Sequence, residues 1–222
     1  MTYVMSDIHG QGERFDRMLK RIGFCDTDTL YILGDIADRG PDGIRLLRYV
    51  MDAPNIHMIL GNHEHMLLEA LNYPTGEQYI FRWYRNGGEV THRALFKLPT
   101  EEILRIFEYL GALPLNLNIK VNGQDFILAH GAPVESFGIM PSKYTELTRF
   151  AVWARPTAED YMPEDKITIF GHTSTKHFQD NIPMAIWHGK NRINIDCGCA
   201  YSDGTGRLGG LRLEDMREFY EA

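Results

Sequence analysis

The stretch YILGDIADRG, residues 31–40, changes from apolar to charged within a few residues. Its first three residues are strand formers, but Asp35, Asp38 and Arg39 follow, with a glycine on either side of this charged group. A solvated turn has a similar composition, because Asp and Gly are common turn residues. Whether the stretch is a turn or a functional site therefore depends on the remainder of the chain.

Four other apolar runs also end in polar residues that can bind a metal ion. The runs YVM, IHMIL, FILA and ITIF lead into SDIH at 6–9, GNH at 61–63, HG at 130–131 and GH at 171–172. Loops converge at the carboxyl ends of strands in α/β sheets, and glycine permits sharp turns there. We therefore expect the five strand ends to meet at one site.

Helices and a hairpin are expected between these runs. Apolar residues at helical spacing predict two amphipathic helices, one through Phe15, Met18, Leu19 and Ile22 and one through Ile103, Leu104, Phe107 and Leu110. The pair Asn122–Gly123 suits a type I′ turn within IKVNGQDFILA. Further strands are expected from Ile182 to Leu213. The predicted fold class is α/β, and 222 residues fit a single domain, 1–222.

The polar residues at the strand ends form a mixed set of nitrogen and oxygen donors: Asp7, His9, Asp35, Asn62, His130 and His172. Such a set suits Mn²⁺, Fe or Zn²⁺ better than Ca²⁺ or Mg²⁺, which prefer oxygen cages. Any one of these residues could instead be a cap or a satisfied core group. Six ligands exceed what one catalytic metal ion needs while it keeps an open position. We therefore predict two divalent metal ions with one carboxylate bridging them.

The motifs SDIHG, GDIADRG, GNHE, AHG and GHT resemble the metallophosphoesterase motifs of the phosphoprotein phosphatase family. Within that family the chain resembles the bacteriophage lambda type of protein serine/threonine phosphatase. RNGG at 85–88, VWAR at 152–155 and NIDCG at 194–198 support that subgroup, although Ser6 stands where the family usually has Gly. The resemblance implies a calcineurin-like metallophosphoesterase fold, a two-sheet β-sandwich flanked by helices.

The resemblance also implies how the metal ligands are divided. The first metal ion would be held by Asp7, His9 and Asp35. The second would be held by Asp35, which bridges both ions, and by Asn62, His130 and His172. Manganese is the predicted metal, with Fe and Zn as the other candidates.

Direct hydrolysis of a phosphomonoester by a metal-activated hydroxide follows from this arrangement. Arg39 and Arg155 would bind the phosphoryl oxygens, with Asn62 beside them. His63 would protonate the leaving alkoxide, and the Asp38 carboxylate would orient the imidazole and keep it protonated at neutral pH. The predicted activity is that of a metal-dependent protein serine/threonine phosphatase acting on a phosphorylated protein or peptide.

Two alternatives share the fold. Symmetrical dinucleoside tetraphosphatases carry the same metal motifs, but they generally lack the acid at position 38 and usually have Asp where this chain has Glu64. A non-catalytic binding module would be expected to lose ligands or the catalytic histidine, and this chain keeps both.

The net charge, the amino-terminal sequence and the cysteine count limit which partners and which cellular compartment we expect. A net charge of −7 argues against nucleic acid or an anionic membrane as a partner. The amino terminus does not resemble a signal peptide, and no apolar run approaches the roughly 20 residues of a membrane helix, so a cytoplasmic location is expected. The odd cysteine count does not suggest a disulfide framework.

Some residues keep two interpretations at this stage. The pair Cys197 and Cys199 could bind a metal ion or be buried thiols. Trp83, Tyr84 and Asn86 could line a substrate groove or only pack. His65 could lie near the site, whereas the remaining histidines are read as surface or core residues.

Overall fold

The computed structural model describes residues 1–201 and 203–222, and it contains two five-stranded sheets. The strands of the first sheet are β1 Thr2–Met5, β2 Thr29–Ile32, β3 Ile56–Met58, β9 Leu208–Arg212 and β10 Arg217–Glu221. Their order is β10-β9-β1-β2-β3. Strands β1, β2 and β3 run parallel, and β9 is antiparallel to both of its neighbours.

The second sheet has the order β4-β5-β6-β8-β7. Its strands are β4 Asn116–Val121, β5 Gln124–Ala129, β6 Ile167–Phe170, β7 Trp187–Gly189 and β8 Arg192–Asn194. The central strands β5, β6 and β8 are parallel, and the edge strands β4 and β7 are antiparallel to them. Both sheets therefore contain parallel strands whose carboxyl ends can contribute to one site.

In the part of the chain that the structure describes, seven α-helices connect the strands. They are α1 Gly12–Ile22, α2 Gly43–Asp52, α3 Asn62–Asn72, α4 Glu77–Arg85, α5 Glu89–Leu95, α6 Thr100–Gly111 and α7 Leu147–Trp153. Short 3₁₀ turns occur at Val134–Ser136 and Thr175–His177. Within the described residues, no helix has the length and apolar character needed to cross a membrane.

Successive residues of β1 point into two different cores, as the period of a strand requires. Val4 packs between the sheets, with Phe126 and Ile169 of the second sheet. Met5 packs on the opposite face, with Phe15 of α1 and Leu47 of α2. The result is a two-layer sandwich with helices on the outer face of the first sheet, as the resemblance predicts.

Most of the predicted elements are confirmed. The hairpin β4–β5 turns at Asn122 and Gly123, whose φ angles of 48° and 85° match a type I′ turn. Helix α1 buries Phe15 and Met18 as predicted. The prediction of strands in the carboxyl-terminal part is also confirmed, and the single-domain prediction stays a prediction.

The predicted buried face of α6 is partly wrong. Ile106 and Leu110 are buried, whereas Leu104 is 53% exposed. The helix packs against α2 and α3, and Leu104 and Phe107 border an open apolar groove instead. The spacing identified a helix correctly, but several apolar stripes fit it and only the neighbouring helices select one.

Candidate metal centre and active site

The ends of β1 and β2 form interlocked turns that present Asp7, His9 and Asp35. All three residues have left-handed backbone angles, with φ of 53°, 49° and 54°. The His9 N–H donates to the Asp35 carbonyl at 2.9 Å, and the Asp7 N–H donates to the Gly34 carbonyl at 3.3 Å. Non-glycine residues rarely adopt such angles, and those that do are concentrated at functional sites.

The end of β3 reaches this turn because glycines permit close approach. A Cβ atom on Gly34 would lie 2.5 Å from Gly61 Cα, and one on Gly61 would lie 2.4 Å from the Asp35 nitrogen. Helix α3 starts at this contact and brings Asn62 and His63 beside Asp35. The His63 N–H donates to Asp35 Oδ1 at 3.0 Å.

The Glu64 side chain supports the same turn through hydrogen bonds to its backbone. Its buried carboxylate accepts N–H groups from Asp35 at 2.7 Å, Ile36 at 3.1 Å and Ala37 at 3.3 Å. Burial raises the pKa of Glu64 to about 7. Glu64 therefore positions the bridging candidate Asp35, a role for which the sequence carried no signal beyond the motif GNHE.

Asp35 lies at the centre of the predicted ligands. Its Oδ2 is 3.7 Å from His9 Nε2, and its Oδ1 is 3.4 Å from His130 Nε2. Two groups of side chains within the described residues could each hold a metal ion. These groups are His9, Asp35 and His63, and Asp35, His130 and His172. Asp35 is common to both, which is the geometry that a bridging carboxylate needs.

Asp7 is placed slightly differently from the prediction, because it belongs to neither of these two groups. Its Oδ1 is 3.9 Å from His9 Nε2. Its Oδ2 accepts the Ser6 hydroxyl and, at 3.0 Å, the His172 N–H. Asp7 thus joins the β1 turn to the β6 turn, and Oδ1 is the oxygen free to face a cation.

The ring nitrogens are prepared for metal binding. His9 Nδ1–H donates to the Ala37 carbonyl at 3.2 Å, and His130 Nδ1–H donates to the Leu33 carbonyl at 2.6 Å. These bonds fix the tautomer and leave Nε2 of each neutral ring as a lone-pair donor. His130 Nε2 then faces Asn62 Oδ1 at 2.9 Å, an approach of two acceptors that a cation would relieve.

His172 supplies a further sign of an intended ligand. Its Nε2 is buried and has no hydrogen-bond partner among the described residues. A buried polar atom without a partner is costly. A metal ion beside Nε2 would satisfy it.

The buried carboxylates of the site need positive counterions. Burial, with the charges of Asp7 and Glu64, raises the pKa of Asp35 well above its usual value. Burial also lowers the pKa of His9 and of His172 well below the usual value. Neutral imidazoles and crowded carboxylates are what divalent cations bind. The residues present therefore fit two such ions, and the nitrogen and oxygen set suits Mn, Fe or Zn.

His63 and Asp38 form a fully buried pair. His63 Nδ1–H donates to Asp38 Oδ2 at 2.7 Å, and Arg39 Nη2 lies 3.1 Å from His63 Nε2. Burial raises the pKa of Asp38 to about 7. Burial and the charge of Arg39 lower the pKa of His63 well below its usual value. The orientation by Asp38 is present, but burial and the Arg39 charge both act against the protonated imidazolium expected from the sequence.

Both predicted arginines border a cavity of about 350 Å³ that also contacts Asp7, Asp35 and His172. Arg39 and Arg155 are exposed, so an anion can reach them. Arg155 Nη1 donates to the His172 carbonyl at 2.9 Å and to Thr173 Oγ1 at 3.0 Å. These bonds hold Arg155 at the rim of the metal centre.

The cavity includes one carboxylate that is absent from the predicted site. Asp196 is buried, lines the cavity and accepts the Gly198 N–H at 2.9 Å. Burial raises its pKa to about 8. The motif NIDCG contains this residue, but an isolated Asp after a strand gave no reason to separate it from a turn.

The residues with two interpretations are now distinguished. Asn86 lines the cavity, whereas Trp83 and Tyr84 pack in the main hydrophobic core. His65 lies 3.3 Å from the Glu69 carboxylate rather than among the predicted ligands. Cys197 and Cys199 are buried free thiols. Burial raises the pKa of Cys199 to about 12, which disfavours the thiolate that a metal ion would need.

Comparison with known proteins identifies similar sequences. A family model described as calcineurin-like phosphoesterase matches residues 2–198. A symmetrical bis(5'-nucleosyl)-tetraphosphatase of Acidovorax sp. (strain JS42) is 30% identical over 148 residues, which are 66% of this chain and 47% of that protein. The chain thus spans about half the length of this curated relative.

Solved structures show the same fold at low sequence identity. A candidate diadenosine tetraphosphatase superposes with a TM-score of 0.62 at 18% identity, covering 99% of this chain and 92% of the other. The cold-active protein-tyrosine phosphatase of a Shewanella species superposes with a TM-score of 0.60 at 20% identity, covering 99% and 79%.

Proposed function

Since this chain belongs to the calcineurin-like phosphoesterase family, we propose that it is a dinuclear-metal phosphomonoesterase whose first candidate substrate is a phosphoserine or phosphothreonine side chain. One observation carries this choice of substrate. His63 is hydrogen-bonded to Asp38 through one ring nitrogen, and its other ring nitrogen, Nε2, lies 3.9 Å from Oδ2 of the bridging candidate Asp35. A general acid at this position serves a basic alkoxide leaving group, which departs poorly without a proton.

The predicted metal ligands and the two arginines would have separate roles in the hydrolysis. When bound, two divalent cations would polarise the phosphoryl oxygens and lower the pKa of a bound water. They would be held by the six predicted ligands Asp7, His9, Asp35, Asn62, His130 and His172. Arg39 and Arg155 would bind the phosphoryl oxygens through charge-assisted hydrogen bonds.

Arg39 would also control access to His63. In the structure its guanidinium donates to His63 Nε2, so that nitrogen accepts a hydrogen bond and cannot at the same time donate a proton. An anionic phosphate competes for the guanidinium. Once Arg39 turns to the phosphate, its charge no longer opposes protonation of His63, and Nε2 can take up a proton from water while the Asp38 carboxylate stabilises the imidazolium. The Nε2–H then gives this proton to the leaving oxygen as the P–O bond breaks.

A second candidate is a symmetrical dinucleoside tetraphosphatase. The sequence comparison favours it over the protein phosphatase, because the curated relative carries that name. The cavity is also bordered by Trp153 and Tyr201, and aromatic rings can stack on nucleobases. Against it, a nucleoside diphosphate is a weakly basic leaving group, for which the buried acid pair would have little use.

A direct rate comparison tests the proposal. With Mn²⁺ present, kcat/KM is measured on a phosphoserine peptide, a phosphotyrosine peptide and diadenosine tetraphosphate. The proposal predicts the highest value for the phosphoserine peptide. A higher value for diadenosine tetraphosphate would support the second candidate. If none of the three compounds is hydrolysed, both proposed substrate classes are wrong.

A further inference from the structure

Trp83 of α4 contacts the acid pair directly. Its ring is 1% exposed, and its Nε1–H donates to Asp38 Oδ2 at 2.8 Å. The same oxygen accepts His63 Nδ1–H at 2.7 Å. One carboxylate oxygen therefore receives two donors from different elements, and the indole fixes where that oxygen can lie.

The backbone of Asp38 is held from the same side. The Asp38 N–H donates to Thr91 Oγ1 of α5 at 2.9 Å, and Asp38 has a left-handed φ of 69°. An aspartate in this conformation needs its surroundings to keep it there. The segment α4–α5 thus supports Asp38 through both its main chain and its side chain.

The glycines between α4 and α5 make this approach possible. A Cβ atom on Gly88 would lie 2.2 Å from Trp83 Nε1, and one on Gly87 would lie 2.8 Å from Arg39 Cγ. The Gly87 carbonyl also accepts the Arg39 N–H at 3.0 Å. The motif RNGG therefore seats the indole and the phosphate-binding arginine in one loop.

We propose that Trp83 is a positioning residue for the general acid, acting through its N–H bond to Asp38 and not only through the volume of its ring. This inference rests on the proposed function, since it requires His63 to donate a proton from Nε2 to the leaving oxygen. Without the indole donor, Asp38 and His63 lose a fixed orientation, and the benefit of the acid falls for leaving groups that need it.

The test uses the full chain loaded with Mn²⁺ and two substrates, a phosphoserine peptide and p-nitrophenyl phosphate. Trp83→Phe keeps an aromatic ring and removes the donor. We expect kcat on the peptide to fall about tenfold, part of the roughly 10²–10⁴-fold value of general acid catalysis, with at most about a twofold loss on p-nitrophenyl phosphate. The matched control Trp187→Phe, on edge strand β7, should change neither.

A second variant separates the hydrogen bond from the packing. Replacement of Trp83 by benzothienylalanine preserves the ring shape and lacks the N–H group, so it should fold even if Trp83→Phe does not. It should show the same bias against the peptide. Equal losses on both substrates, or a normal rate with benzothienylalanine, would overturn the positioning role.

The background His63→Asn distinguishes failure of this inference from failure of the proposed function. If His63→Asn itself shows no bias between the substrates, the proposed acid is wrong and the role of Trp83 is wrong with it. If His63→Asn shows the bias, Trp83→Phe should add no further loss of kcat on the peptide in that background. A further loss there would overturn the inference alone.

Discussion

His63 meets three side chains that together determine what it can do. Asp38 fixes the ring through Nδ1, Arg39 lies at Nε2, and Asp35 lies 3.9 Å from the same nitrogen. The ring is fully buried, so water cannot substitute for any of them. A substitution at His63 should therefore affect chemistry more than substrate binding.

His63→Asn should slow hydrolysis of a phosphoserine peptide by roughly 10²–10⁴-fold and that of p-nitrophenyl phosphate much less. The phenolate leaves without a proton, whereas the alkoxide does not. The measurement is kcat on both substrates at saturating Mn²⁺, with metal content determined for each variant. If His63 only holds the Asn62 loop, both rates would fall alike together with the metal content.

Arg155 borders the cavity but is not one of the predicted metal ligands. Arg155→Ala should weaken inhibition by inorganic phosphate about tenfold while both metal ions remain bound, because one charge-assisted contact to the anion is lost. The inhibition constant for phosphate and the metal content are measured side by side. Arg105→Ala, which removes an arginine paired with Asp52, is the control. Unchanged phosphate inhibition in Arg155→Ala would identify Arg155 as a surface residue.

At the scale of elements, the strand ends were predictable and the supporting helices were not. Apolar runs that stop at Gly, Asp, Asn or His revealed five strand ends from local sequence alone. Nothing local indicated that Trp83 of α4 would bond to Asp38, 45 residues away. Such a contact depends on how α4 packs against the loop that follows β2, and the periodicity of the helix fits several orientations.

The contact between the ends of β2 and β3 offers a test at this scale. Gly61→Ala should destabilise the protein by roughly 1–3 kcal/mol, because the new Cβ would meet the Asp35 backbone at 2.4 Å. Since Asp35 must move, metal affinity should fall as well. Thermal unfolding and Mn²⁺ titration measure the two effects.

The control for this substitution is Gly111→Ala, at the end of α6, where an added Cβ has no neighbour within 4 Å. Alanine has a better helix propensity than glycine, so this variant should be as stable as the parent or slightly more so. If Gly61→Ala behaves like Gly111→Ala, the close approach of the two strand ends is not required.

At the scale of the whole molecule, the six ligand candidates come from both sheets. The first sheet's strands lead into four of them and the second sheet's strands into two: Asp7, His9, Asp35 and Asn62, and His130 and His172. The motifs predicted which residues meet, because their order and spacing match the family. They could not predict that one carboxylate oxygen of Asp7 would accept hydrogen bonds from both Ser6 and His172. The bond from His172 forms only when the two sheets are stacked.

The number of metal ions follows from the shared carboxylate. Mn²⁺ titration should saturate at two ions per chain, and Asp35→Asn should cost more activity than Asp7→Asn, because Asp35 alone belongs to both ligand groups of the described residues. Metal content is measured at matched occupancy. Full activity at one ion per chain would exclude the dinuclear proposal.

Because the ligands come from both sheets, bound cations should act as a cross-link between them. A ligand that binds only the folded state stabilises it by about 2.7 kcal/mol at 100 times its Kd. For a chain of this size that corresponds to a rise in Tm of roughly 5–11 °C for each site. Adding Mn²⁺ to metal-free protein should therefore raise Tm, and the rise should continue with the logarithm of the free Mn²⁺ concentration after the sites are filled. Asp35→Asn, which weakens both sites, should lose most of that rise. A rise of the same size in that variant would place the stabilising ions elsewhere, because neither proposed site would then account for it.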